Sequence, residues 1–192
     1  MAVALKFITP NAEQQIGEYA AICYDSDVSV DTCVRRAKSC ASKGHLATLR
    51  FAHAVFHITN ISRACSHQLV RSKHLDFLQQ SQRYVNQLDA PFIYPESSRD
   101  DLISSVYRNC MDVYDRLIAS GVKKEDARMV LPAGIATELY VVGNLQAWQD
   151  FINLRSGKEA QKEIRNVAIA VNNILAEQCP NLFKGMYDYQ RT

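Results

Sequence analysis

The amino-acid sequence predicts a single α+β domain. Several segments carry apolar residues at helical spacing, and shorter runs between them are alternating or β-branched, as in strands. The chain has 192 residues, enough for one sizeable core, and no internal repeat, low-complexity tract or Pro/Gly-rich linker divides it. We therefore expect one domain over residues 1–192.

The first 60 residues predict two strands and two helices. These are a strand over Leu5–Thr9, a helix from Asn11 to about Tyr24, a helix over Thr32–Ser42 capped by Asp31, and a strand over Arg50–Thr59. The last of these places Ala52, Ala54, Phe56 and Ile58 on one face, so that face is expected to be buried.

The remaining segments favour helix over strand. We expect helices over Ile61–Val70, Arg99–Ser120, Lys123–Val130, Asn144–Leu154 and Lys158–Glu177, and a buried strand over Ile135–Val142. The polar run Gln79–Tyr84 predicts a loop that leads into a short strand.

Composition excludes several classes of function. A formal charge of +2 disfavours a general nucleic-acid binder, and no apolar run approaches the roughly 18–20 residues that cross a membrane. The six cysteines form no CxxC pair, which indicates free thiols in a cytoplasmic protein. His53 and His57 share a predicted strand face, but no nearby thiolate or carboxylate completes a metal site, so we expect no metal.

The stretch Ile61–Val85 concentrates the polar chemistry of the chain. It holds four cations with imidazole, amide and hydroxyl groups, namely Arg63, His67, Gln68, Arg71, Lys73, His74, Ser81, Arg83 and Tyr84. Guanidinium groups beside apolar anchors suit a small anionic ligand. The alternative is an amphipathic helix with an ordinary solvated face.

Two separated blocks resemble the flavin-dependent thymidylate synthases. That family's signature is Arg-His-Arg, seven residues, then Ser-Gln-Arg-Tyr, and this chain has Arg71-Ser72-Lys73, seven residues, then Ser81-Gln82-Arg83-Tyr84. The second block comprises ARMVLP at 127–132 and GNLQAWQDFINLR at 143–155. The resemblance extends from about Gly44 to Phe183.

The resemblance implies a fold, a substrate and an assembly. The fold is a mixed or antiparallel sheet with long helices, and the assembly is a homotetramer with shared active sites. The reaction adds a one-carbon unit from methylenetetrahydrofolate to C5 of deoxyuridylate, with FAD as cofactor and NADPH restoring it. The positions that match nucleotide-binding residues are Gln68, Arg71, Ser81, Arg83 and Arg128, and Arg155 matches the arginine that polarises the uracil.

Two of these positions also have simpler interpretations. Ser81 could be a covalent nucleophile, but no Ser-His-acid arrangement is apparent, so a hydrogen bond to the substrate is favoured. Arg128 lies in the charged run KKEDAR, and without the resemblance it would be a solvated helix residue.

The flavin positions depart from the family pattern. Ser72 replaces the signature histidine and Lys73 the second arginine, while Ala47, Arg50, Gln146, Asp150 and Glu159 replace the family's usual residues; Asn144 is kept. Ser72, Lys73, Asn144 and Asp150 are the expected cofactor-binding positions. Because the changes fall on one ligand, we expect weak FAD binding.

Three functions remain open from the sequence. The first is thymidylate synthesis with flavin. The second is a flavin-independent relative that makes a 5-hydroxymethyl nucleotide from dUMP or dCMP. The third is a nucleotide-binding protein without catalysis, which the retention of Arg155 disfavours.

Overall fold

A four-stranded antiparallel sheet organises the protein. The computed structural model describes residues 1–95 and 101–185. The strands are β1 (Ala2–Ile8), β2 (His53–Ser62), β3 (Leu75–Gln79) and β4 (Ala136–Asn144), and their spatial order is β1-β2-β4-β3. All three pairings are antiparallel, which confirms the predicted α+β class and its sheet.

Eight α-helices occur within the described ranges. They are α1 (Ala12–Ala21), α2 (Val30–Ser42), α3 (Arg63–Leu69), α4 (Asp101–Ala119), α5 (Lys124–Ala127), α6 (Leu145–Arg155), α7 (Lys162–Gln178) and α8 (Pro180–Phe183). Three 3-10 turns, Ile22–Tyr24, Leu46–Phe51 and Arg128–Val130, complete the described elements. Over residues 1–95 and 101–185, none of the helices has the length and hydropathy of a membrane span.

The core lies on one face of the sheet and fixes helix α6. Ala54, Phe56 and Ile58 of β2 are fully buried, as their alternation predicts. Trp148 of α6 packs edge-on against Phe56 with ring centroids 4.9 Å apart, and its Nε1 donates to the Ala54 carbonyl at 3.2 Å. Because burying an indole and satisfying its N–H both depend on this contact, α6 and the arginine at its end are held firmly.

The opposite face of the sheet carries apolar side chains that remain exposed. One cross-strand row consists of Ala4, His57, Tyr140 and Leu78, and the next consists of Phe7, Val55, Val142 and Asp76. Leu78 is 76% exposed, and Phe7 is half exposed. His57 stacks on Tyr140 with centroids 4.4 Å apart and bonds Glu138 at 3.0 Å, so this face is ordered although uncovered.

Some sequence predictions about elements are wrong. Within residues 1–95 and 101–185, no strand directly follows the loop at Tyr84, and the short strand β3 precedes that loop instead. The apolar–polar alternation of β3 is weak because Leu78 faces solvent. Asp31 does not cap α2, because Ser29 occupies the N-cap position and Asp31 lies inside the helix.

Other boundaries shift by a few residues. Arg50 belongs to the 3-10 turn before β2, residues 61–62 complete β2, and α7 begins at Lys162 rather than Lys158. Ser62 caps α3 by accepting from Cys65 N at 3.0 Å, so the strand passes directly into the helix. The predicted start of α4 at Arg99 lies outside the described residues.

Candidate functional site

The loop after β3 places Arg83 against a carboxylate of helix α5. Arg83 donates from Nε at 2.9 Å and from Nη2 at 2.8 Å to Oε2 of Glu125. The carbonyl of Glu125 accepts from Arg128 Nε at 3.1 Å. The structure therefore brings together two of the predicted nucleotide-binding arginines within one chain, on either side of Glu125.

A third guanidinium, Arg63, joins this group. Its Nη1 donates to the Gln80 carbonyl at 3.3 Å and to Thr137 Oγ1 at 3.4 Å, and both acceptors are neutral. Burial lowers the pKa of Arg63 below its usual value, and the neighbouring Arg128 lowers it further. A guanidinium remains charged at neutral pH even so, and an anion bound near both charges would relieve their repulsion.

Arg63 was not among the predicted site residues, although the sequence around it contains a signal for such a role. No acidic residue occurs between Asp31 and Asp76, so a guanidinium in the apolar start of α3 has no acid nearby in sequence. A buried charge without a partner is costly. Such a residue is therefore a candidate for binding an anion.

Ser81 shapes the loop that carries Arg83. Its Oγ accepts from Arg83 N at 3.2 Å, and its carbonyl accepts from Tyr84 N at 3.2 Å and Val85 N at 3.0 Å. Among the described residues, no histidine bonds the Ser81 hydroxyl, so the activation that a nucleophilic serine needs is not assembled.

A second group of predicted residues lies at the other end of α3. Gln68 donates from Nε2 to Oε1 of Gln161, just before α7. Arg155, the last residue of α6, has a buried Nε with no acceptor among the residues the structure describes. Arg155 lies near Cys65, where it partly opposes the rise in the thiol pKa to about 12 that burial causes. An orphaned, directional donor of this kind fits a ligand oxygen.

Helix α3 connects the two groups, with Arg63 at its start and Gln68 near its end. Within residues 1–95 and 101–185, no hydrogen bond or ion pair joins the arginine group to Arg155. Arg71 is exposed in the turn that follows α3.

Three of the predicted flavin positions bond to one another or to the backbone. Arg50 Nε donates to Gln146 Oε1 at 2.7 Å, and Asn144 Oδ1 accepts from Ala147 N at 2.9 Å as the cap of α6. Ser72 Oγ is buried and has no partner in the described part of the chain. The exposed members are Ala47, Arg50, Lys73, Asp150 and Glu159. Two cations here, Arg50 and Lys73, suit a pyrophosphate, whereas the two carboxylates do not.

Comparison with known proteins identifies relatives. The model of the family described as thymidylate synthase complementing protein matches residues 4–181. A flavin-dependent thymidylate synthase of Geobacter sulfurreducens is 34% identical over 200 residues, covering 96% of this chain and 86% of that protein.

Two mycobacterial proteins of the same name are also similar. The one from Mycobacteroides abscessus is 34% identical and the one from Mycobacterium tuberculosis 32%, each over 160 residues and 73% of this chain. The chain spans 64% of the length of these mycobacterial relatives. All three names include flavin dependence, which gives no support to the expectation of weak FAD binding.

Proposed function

Because the chain belongs to the thymidylate synthase complementing protein family, we propose that it transfers a one-carbon unit to C5 of a pyrimidine deoxynucleotide. The substrate is dUMP and the donor methylenetetrahydrofolate. The observation that carries this proposal is the group Arg63, Arg83 and Arg128, which has more positive than negative charge. Glu125 is the only carboxylate within ion-pair distance of the three, counting the described residues.

The arginine group suits the 5′-phosphate of the nucleotide. A phosphate dianion accepts several charge-assisted hydrogen bonds, and guanidinium groups supply paired donors in a fixed plane. Arg63 and Arg128 are half-buried, so their donors are less hydrated than those of surface arginines. Binding a phosphate here relieves the repulsion between the two.

Arg155 suits the pyrimidine ring. C5 of uracil is a weak nucleophile, and it becomes reactive when the ring carries enolate-type negative charge on a carbonyl oxygen, which is consumed as C5 bonds the one-carbon unit. A guanidinium beside that oxygen stabilises the developing charge without a proton transfer. The unpaired Nε of Arg155 is a donor of this type, already buried and therefore already desolvated.

The names of the relatives indicate a flavin cofactor, which we propose is FAD. Arg50 and Lys73 would hold its pyrophosphate, and Asn144 caps α6, the helix whose Gln146 accepts from Arg50. When bound and reduced, flavin supplies the hydride that converts the transferred carbon into a methyl group, with NADPH as the reductant. The altered residues leave this chain with fewer directional contacts to the cofactor.

Replacing Arg83 or Arg128 with alanine tests the phosphate site. Each variant is expected to weaken dUMP binding about 10- to 100-fold, the usual effect of losing a hydrogen bond to a charged group. Isothermal titration measures the affinity. Arg116→Ala, an exposed arginine on α4, is the matched control and should leave it unchanged. Unaltered affinity in both site variants would refute the assignment.

We also propose that the chain forms a homotetramer. The exposed sheet face with Phe7, Tyr140 and Leu78 supports this, as does a stripe of exposed Leu102, Val106 and Val113 on α4. Apolar patches of this kind mark surfaces that pack against a partner. Part of each active site would then come from a neighbouring chain.

Assembly is measured by light scattering. The unmodified chain should have the mass of four copies, and Leu78→Asp should shift it to smaller species, since a carboxylate on a packed apolar face is costly. Ile22→Asp, also at an exposed apolar position but outside the sheet, is the control. A fully active monomer would contradict the proposal.

The thiols support a reducing, cytoplasmic environment. All six cysteines are free, and Cys33, Cys65 and Cys179 are buried. Burial raises the pKa of Cys179 to about 12, with Glu13 adding to the effect. The thiols of Cys65 and Cys179 therefore remain protonated at neutral pH and act as small apolar side chains.

A further inference from the structure

Glu125 lies at the centre of the arginine group and contacts two of its members with different atoms. Its carboxylate receives both donors of Arg83, and its backbone carbonyl receives Arg128 Nε. One carboxylate oxygen thus accepts two hydrogen bonds from a single guanidinium. A phosphate oxygen can accept the same two bonds.

The pair between Glu125 and Arg83 is replaceable. The two side chains are 36% and 53% exposed, and exposed ion pairs contribute little because water screens them. A phosphate dianion carries more charge, and in the proposed site Arg63 and Arg128 would offer it further donors. It therefore competes favourably with a single solvated carboxylate.

We infer that Glu125 occupies the place of the substrate phosphate in the free protein, holding Arg83 in position until the nucleotide displaces its carboxylate. This inference rests on the proposed phosphate site. The carboxylate has two opposing effects: it orients Arg83 before binding, and it repels the phosphate as the phosphate arrives. A glutamine keeps an oxygen that can accept from Arg83 but removes the charge.

A neighbouring contact keeps the loop in place during this exchange. Lys124 Nζ donates to the Tyr84 carbonyl at 2.9 Å, so adjacent residues of α5 hold consecutive residues of the loop. When Arg83 turns from Glu125 to a phosphate, the Lys124 contact need not break. Displacement of the carboxylate thus requires only a side-chain movement.

The test compares Glu125→Gln with Asp126→Asn. Asp126 is the next residue of the same short helix, is exposed, and gives the same change in net charge. Isothermal titration with dUMP and with inorganic phosphate is done on the full chain at low and at physiological salt. Glu125→Gln is expected to bind both ligands about fivefold more tightly, whereas Asp126→Asn should change little.

Double variants identify the cause. In an Arg83→Ala background, the gain from Glu125→Gln should be smaller, since no ion pair then remains for the phosphate to break and only the repulsion by the carboxylate is removed. Suppose that the wild type binds dUMP but Glu125→Gln binds it no more tightly, or that Asp126→Asn gains as much affinity as Glu125→Gln. Either result would overturn the inference about Glu125 and leave the phosphate site intact. If neither the wild type nor any variant binds dUMP, the proposed function itself is refuted.

Discussion

Replacing Arg155 with alanine is expected to lower kcat about 10²- to 10³-fold while changing the dUMP dissociation constant less than about threefold. The reason is that the guanidinium meets a nearly neutral carbonyl in the ground state and a charged one in the transition state. Its Nε is buried without an acceptor in the described residues, so no other bond must break for it to act.

The measurement separates turnover from affinity. Steady-state rates give kcat and KM, and titration gives the dissociation constant for dUMP. Arg155→Lys should recover part of the rate, because it restores charge without the planar fork. Arg108→Ala, exposed on α4, is the control. If Arg155→Ala raises KM and leaves kcat unchanged, the residue binds the ring without activating it.

FAD is expected to bind this chain about a thousandfold more weakly than it binds the Geobacter sulfurreducens relative. Each lost hydrogen bond weakens binding about fivefold, and the altered positions are expected to remove about four or five of them. The hydroxyl of Ser72 is buried and shorter than an imidazole, and Lys73 offers a point charge in place of a guanidinium fork. Asp150 and Glu159 are exposed carboxylates and would repel a pyrophosphate bound beside them.

Restoring the signature should recover part of this affinity. Ser72→His/Lys73→Arg is expected to bind FAD about 30-fold more tightly than the unmodified chain, measured by quenching of flavin fluorescence. Ser42→His/Lys43→Arg is the matched control, since it changes the same two residue types at the end of α2. Tight binding by the unmodified chain would contradict the expectation of weak FAD binding and would leave the proposed thymidylate synthesis in place.

The sequence predicts those parts of the fold that local patterns determine. The alternation through Ala54, Phe56 and Ile58 identifies the buried face of β2, and Asn144 marks the start of α6, where its side chain caps the helix. These signals are carried by residues a few positions apart. They can therefore be recognised from the sequence without knowledge of the tertiary structure.

The pairings within the site could not be predicted in this way. Arg83 and Glu125 are 42 positions apart, and Arg50 and Gln146 are 96 apart. Only the folded chain brings such residues into contact. Strand β3 was missed for a related reason, because it is stabilised by pairing with β4 rather than by a strong pattern of its own.

The role of Arg63 also depends on contacts that local sequence patterns do not predict. Its charge is evident in the sequence, but its importance depends on Arg128 lying beside it and on the neutral acceptors Gln80 and Thr137 around it. Burial converts an ordinary basic residue into a candidate ligand for phosphate.

One measurement tests the central claim most directly. The purified chain is incubated with dUMP and methylenetetrahydrofolate, with and without FAD and NADPH, and the nucleotide product is identified by mass spectrometry. We expect dTMP from the unmodified chain in the complete mixture, and little or no dTMP from Arg155→Ala. A 5-hydroxymethyl nucleotide formed without FAD would instead assign the chain to one-carbon transfer without hydride. Recovery of unmodified dUMP under every condition, by a chain that still binds it, would contradict the claim that this protein is a one-carbon transferase.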